Sequence, residues 1–144
     1  PARRPACSVG SPAHSLVALL LTLCLPVLMG FSLPGEFARL IDGGNKLYAR
    51  GAYGRAADRY SKALDLTPDS SEALFNRGAA RYKQNDFEQA LEDFTGATRG
   101  ASGSLKQHAE YNAGNCLYRQ QEYDEAIERY KRCLLYTYPS QRDS

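Results

Sequence analysis

The sequence predicts an all-α chain in which three helical hairpins stack into a solenoid, preceded by a separate apolar segment. Three observations carry this. Glycine falls at Gly44, Gly78 and Gly114, in steps of 34 and 36 residues. Alanine falls at Ala56, Ala90 and Ala126; an aromatic follows four residues later at Tyr60, Phe94 and Tyr130, then Ala63, Ala97 and Cys133. The joints match as well, as Gly51-Ala52-Tyr53, Asn85-Asp86-Phe87 and Gln121-Glu122-Tyr123. Small residues set opposite large ones, in a fixed order at this period, describe helix pairs that pack knob into hole.

The first element is of another kind. Arg3 and Arg4 precede an uncharged apolar run from Leu16 to Met29, and the small residues Gly30 and Ser32 follow it. Basic head, apolar run and small residues fit a secretory signal peptide over residues 1–32. The run has about 14 apolar residues and is interrupted by Pro26, whereas a spanning helix needs about 20. A cleaved signal is therefore the first reading, and a retained membrane anchor through residues 16–29 the second. Leu23 before Cys24 does not suit lipoprotein processing. Pro1 is not an initiator residue, so the sequence reads as a fragment.

The hairpins follow in order. A helix from about Glu36 to Arg50 pairs with one from about Tyr53 to Leu66, closed by Thr67-Pro68, to make the first repeat at residues 37–70. Asp69-Ser70-Ser71 offers N-cap oxygens to the second repeat, residues 71–104, whose helices meet at Asn85-Asp86 and end near Arg99. Gly100 to Ser104 reads as a flexible connector that supplies the two extra residues. The third repeat, residues 107–135 and incomplete, has helices from about Leu105 to Gln120 and from about Tyr123 to Leu135. The tail at residues 133–144 resembles the translated end of a transposon sequencing adapter, departing from it at Tyr138 and Gln141; the alternative is a genuine helix end. Within the hairpins, Leu40 and Leu74 are matched by Glu110 in the third, and Arg77 and Arg81 fall on packing positions. Their stems are expected to cover apolar surface while the guanidinium groups reach water.

Composition narrows the function. Lys and Arg number 18 against 16 Asp and Glu, and both excess charges are Arg3 and Arg4. The body from Leu33 onward is neutral, which leaves nucleic acid without an electrostatic footprint. Cys7 and Cys24 lie in the export segment, Cys116 among packing residues and Cys133 in a small-residue slot, with no zinc spacing or disulfide framework. His14 is in the export segment, so His108 is the body's one imidazole. No nucleophile motif or phosphate loop is present. The acid pairs Glu92-Asp93 and Asp124-Glu125 fall on outer faces, where solvated charge is the ordinary reading. No enzyme activity, cofactor or metal is expected.

The glycine, alanine and aromatic pattern near 34 residues resembles the tetratricopeptide repeat (TPR). That resemblance implies a concave groove lined by the first helix of each hairpin. The matching positions are Asp42, Asn45, Tyr48 and Ala49; Phe75, Asn76, Ala79, Tyr82 and Lys83; and His108, Tyr111, Asn112, Asn115, Tyr118 and Arg119. Asparagine amides can hold an extended backbone, while tyrosines offer rigid area with a polar tip. TPR co-chaperones that grip the terminal carboxylate of Hsp70 or Hsp90 use Lys, Asn, Asn, Lys and Arg; here those positions hold Ile41, Asn45, Asn76, His108 and Asn112. Without its cations this is not a carboxylate clamp. The runs G-N-K-L-Y-A-R-G-A-Y, E-A-L-F-N-R-G-A-A-R-Y-K-Q-N-D-F and Y-N-A-G-N-C-L-Y-R-Q-Q-E-Y-D-E-A-I are similar to exported TPR proteins of bacterial aerotolerance (Bat) operons. This implies a protein-binding scaffold at the periplasmic face of the inner membrane, beside a von Willebrand factor A-domain membrane protein. A membrane-anchored assembly factor and a TPR co-chaperone are the alternatives.

Overall fold

The computed structural model describes residues 35–137, so the expected signal segment at residues 1–32 and the residues after Thr137 lie outside the described part. Helices α1 (Glu36–Ala49), α2 (Tyr53–Leu66), α3 (Ser71–Lys83), α4 (Phe87–Gly100), α5 (Gly103–Arg119) and α6 (Tyr123–Thr137) follow one another with short joints. Each packs on the next, making three hairpins stacked side by side. First helices also touch one another, α1 with α3 and α3 with α5, and so share one face of the stack, the inner face. No helix among the described residues is long and apolar enough to cross a membrane.

The turns inside the hairpins share one geometry. Gly51, Asn85 and Gln121 have φ of 76°, 65° and 67°. The N–H groups of Ala52, Asp86 and Glu122 reach back to the carbonyls of Leu47, Arg81 and Leu117 at 2.9–3.0 Å, while Gly51, Asn85 and Gln121 donate to Tyr48, Tyr82 and Tyr118. This reciprocal pair satisfies the last carbonyls of each first helix, and the left-handed residue between suits glycine best. At the starts, Ser70 Oγ accepts from the Ala73 N–H at 3.2 Å, and Asp86 accepts from both the Gln89 backbone and its side chain.

The repeat glycines sit under rings. A Cβ added at Gly44 would strike the Tyr60 ring, one at Gly114 would lie 2.6 Å from Cε1 of Tyr130, and one at Gly78 would lie 3.1 Å from Cε1 of Phe94. Ala56, Ala63, Ala90, Ala97 and Ala126 are buried and let the paired helices close.

Three expectations need correction. Arg77 and Arg81 do not send their guanidinium groups to water. Both reach Asp93, Arg77 through a fork at 2.7–3.2 Å and Arg81 at 2.7 Å, while Arg77 also donates to Ser61. Asp93 is therefore no outer-face charge: it is 3% exposed, because the α3–α4 contact encloses it. Glu110 is likewise buried, pairing with Arg129 at 3.1 Å, and Arg129 also donates to Thr95. A buried charge is tolerated only with such partners. The third correction concerns the connector: α4 runs on to Gly100 and α5 starts at Gly103, leaving only Ala101 and Ser102 between helices.

Candidate functional site

The inner face is built from α1, α3 and α5. A cavity of about 350 Å³ lies between the first two hairpins, lined by Asn45, Tyr48, Tyr60, Phe75, Asn76 and Ala79. A neighbouring cavity of about 170 Å³ is lined by Tyr48, Ala79, Tyr82, Lys83, Phe94 and Asn112. Tyr48 and Ala79 belong to both. Six of the residues proposed from sequence (Asn45, Tyr48, Phe75, Asn76, Tyr82 and Lys83) thus meet along one channel, and Asn112 closes it.

The aromatic groups are held rigidly. Tyr48, Tyr82 and Tyr118 each stand edge-on to the first aromatic of the following helix, Tyr53, Phe87 and Tyr123, with ring centroids 5.2–5.5 Å apart. Phase along the helix explains the repetition, since each tyrosine lies four residues after its glycine and each partner opens the next helix. Phe75 meets Phe94 edge-on at 5.5 Å, whereas the Tyr111 and Tyr130 rings are tilted at 45° and 5.6 Å apart, with Tyr111 half exposed. Tyr118 is more exposed still.

The asparagines divide into two kinds. Asn45 Oδ1 accepts from the Tyr60 hydroxyl at 2.7 Å, and Asn115 Oδ1 from the Tyr130 hydroxyl at 2.9 Å. Asn115 Nδ2 in turn lies 3.4 Å from Asn112 Oδ1. Asn76, in the wall of the larger cavity, has no such tyrosine. Burial pushes the Tyr60 hydroxyl up to about 12, with Tyr48 and Glu72 adding to it, so the group keeps its proton at neutral pH. The Tyr130 hydroxyl is raised as well, again chiefly by burial.

Cations on this face differ in freedom. Lys83 is exposed beside the smaller cavity, whereas Arg119 lies over the Phe87 ring at 4.5 Å and joins the third hairpin to the second. Asp42 and His108 are exposed. Ile41, at a position where a carboxylate clamp needs a cation, is 4% exposed and belongs to the core. Burial raises the Cys116 thiol to about 12, which leaves it protonated and unreactive. No cluster of metal-ligating side chains is found among the described residues.

Sequence reasoning missed the tyrosine hydroxyls and the ionic joints. A signal for both existed. Asp93 and Arg129 each directly precede the repeat aromatic, and each faces an opposite charge on the preceding helix. Asn follows the repeat glycine only where the aromatic is tyrosine.

Comparison with known proteins agrees with this architecture. A model of the TPR repeat matches residues 44–85, and a model of the tetratricopeptide repeat matches residues 78–141. The chain is 30% identical over 94 residues to the tetratricopeptide repeat and J domain-containing co-chaperone DNJ1 of Cryptococcus neoformans var. grubii. That match takes in 65% of this chain but only 18% of the relative's length. Among solved structures, the N-terminal domain of stress-induced protein-1 from C. elegans superposes with a TM-score of 0.67 at 22% identity, covering 73% of this chain and 88% of that one. The second TPR of Spaghetti (RPAP3), bound to the HSP90 peptide SRMEEVD, superposes with a TM-score of 0.63 at 23% identity, covering 70% and 92%. At such identities the likeness is one of fold. The two family matches overlap at residues 78–85 and together span residues 44–141, and the chain belongs to the tetratricopeptide-repeat family.

Proposed function

We propose that the chain is a non-catalytic scaffold whose inner groove holds an extended segment of a partner protein. The observation that carries this is the continuity of the groove. The cavity at Asn45, Phe75 and Asn76 shares Tyr48 and Ala79 with the one that reaches Asn112. Amides alternating with braced rings suit a backbone held by hydrogen bonds while the rings sort its side chains.

The setting we propose is bacterial and exported. The resemblance to Bat-operon TPR proteins supports a complex at the periplasmic face of the inner membrane, with a von Willebrand factor A-domain membrane protein as partner. Residues 1–32 serve there as the export signal. Were they retained, the same repeats would work as a membrane-anchored assembly factor. A co-chaperone role is the second reading, favoured by the 30% identity to a co-chaperone. With Ile41 buried and no cation at His108 or Asn112, such a role here would use a ligand other than a free carboxylate.

The test begins with nonapeptides selected on the chain from a random library. Changing Asn76 and Asn112 together to Ala should weaken their binding by about 1–3 kcal/mol with helicity intact. Changing Glu92 and Glu128 to Ala should do little. If only the outer pair matters, the partner docks on the convex side. Titrating a von Willebrand factor A domain against SRMEEVD, free and amidated, separates the two settings: tight binding of the free peptide alone would select the carboxylate-gripping co-chaperone.

A further inference from the structure

The Tyr60–Asn45 and Tyr130–Asn115 hydrogen bonds do more than tie a hairpin together. An asparagine side chain offers an oxygen with two lone pairs and two N–H donors, and so takes either kind of ligand group. In Asn45 the balance shifts toward donation. The Tyr60 hydroxyl takes one lone pair of its oxygen and orients the amide, while both N–H groups of Nδ2 remain for a ligand at the cavity. In the third hairpin the Tyr130 hydroxyl takes a lone pair of the Asn115 oxygen, and Asn115 Nδ2 approaches the Asn112 oxygen at 3.4 Å, so Asn112 is turned the same way with its N–H groups uncommitted.

The middle hairpin lacks both partners. Phe94 replaces the tyrosine, and Ala79 stands where Asn45 and Asn115 stand in the other two. The result is an apolar floor of Ala79 and Phe75 between two donor stations, under a cavity of about 350 Å³ that has room for a large side chain. The Tyr60 hydroxyl can hold this arrangement because it is enclosed, with Tyr60 only 1% exposed.

We propose that Tyr60 and Tyr130 are positioning residues of the groove. By orienting the Asn45 and Asn115–Asn112 amides and shifting them toward donation, they favour a segment with backbone carbonyls at two stations and a large apolar side chain between them. This rests on the groove reading above, and deepens it by naming what the groove accepts.

The experiment uses the whole chain and the selected nonapeptides. Each backbone amide of a peptide is replaced in turn by an ester, which removes the N–H and weakens the carbonyl as acceptor, and by an N-methyl amide, which removes the N–H but keeps a strong carbonyl acceptor. Ester replacement should weaken binding about tenfold at two positions flanking one apolar residue, and N-methylation there by less than threefold. In Tyr60→Phe the first ester effect should vanish, and in Tyr130→Phe the second, as expected for coupled partners. Phe94 shows that this register accepts phenylalanine, so helicity should persist in both variants. If one variant unfolds, the other carries the test. Ester effects that are the same in wild type and variants would overturn the proposal and leave the tyrosines as packing groups. Failure of the groove reading looks different: either no nonapeptide is selected, or Ala79→Leu, which fills the cavity, leaves affinity unchanged.

Discussion

The outer hairpins and the middle one close over the same glycine by different means. Around Gly44 and Gly114 the covering ring is a tyrosine whose hydroxyl reaches an asparagine on the groove side. Around Gly78 the ring is Phe94, which has no hydroxyl, and the polar contact beside it is ionic, with Asp93 receiving Arg77 and Arg81. The third hairpin carries both kinds, since Arg129 next to Tyr130 pairs with Glu110. The contact of ring and glycine sets the helix spacing and is common to all three. The polar groups beside it vary, and their side of the sheet of helices decides their use. Toward the groove they present amides to a ligand; away from it they lock adjacent helices.

The sharpest break of this comparison is at Asp93. Its removal strands two guanidinium groups that are only 20% exposed, and Asp93→Ala should cost about 3 kcal/mol in denaturant unfolding. The loss of Asn45, whose amide faces the groove, should be far milder. Next come the glycines. Filling Gly114 meets the Tyr130 ring at 2.6 Å, and filling Gly78 meets Phe94 at 3.1 Å. Gly114→Leu should therefore destabilise by about 2–3 kcal/mol and Gly78→Leu by about 1–2 kcal/mol. Equal effects would mean that the ring type does not set the closeness of approach.

Much of this fold was legible in the sequence, because spacing alone carries it. The steps between Gly44, Gly78 and Gly114 locate the close contacts, and Gly51, Asn85 and Gln121 locate the turns. The groove positions were legible through family resemblance, since first helices line the inner side. Which asparagine oxygens a tyrosine hydroxyl engages was not legible. That depends on the reach of a tyrosine from the opposite helix, a distance that periodicity does not encode. Asp93, Arg77 and Arg81 misled for a related reason: a charge in a single sequence looks solvated until its partner's helix is placed against it.

Smaller effects sharpen the same contrast. Tyr60 holds its proton to about 12 in the fold against 10.0 as its ordinary value. Its contribution to stability is thus complete below pH 10 and lost as the pH rises from 10 to 12. Alkaline unfolding of Tyr60→Phe should show less of that loss than wild type. Gln121 occupies a left-handed turn position with φ of 67° and is exposed, where Gly51 in the first hairpin has no side chain to strain. Gln121→Gly should stabilise by about 0.5–1 kcal/mol in thermal unfolding.

The most direct test of the account is a footprint. Adding a selected nonapeptide to the isotope-labelled chain and following amide shifts by NMR reads every helix at once. The account predicts that the side-chain amides of Asn45, Asn76 and Asn112 move, together with backbone amides along the inner faces of α1, α3 and α5. Shifts confined to α2, α4 and α6, centred on Glu92 and Glu128 with the three asparagines unmoved, would contradict it.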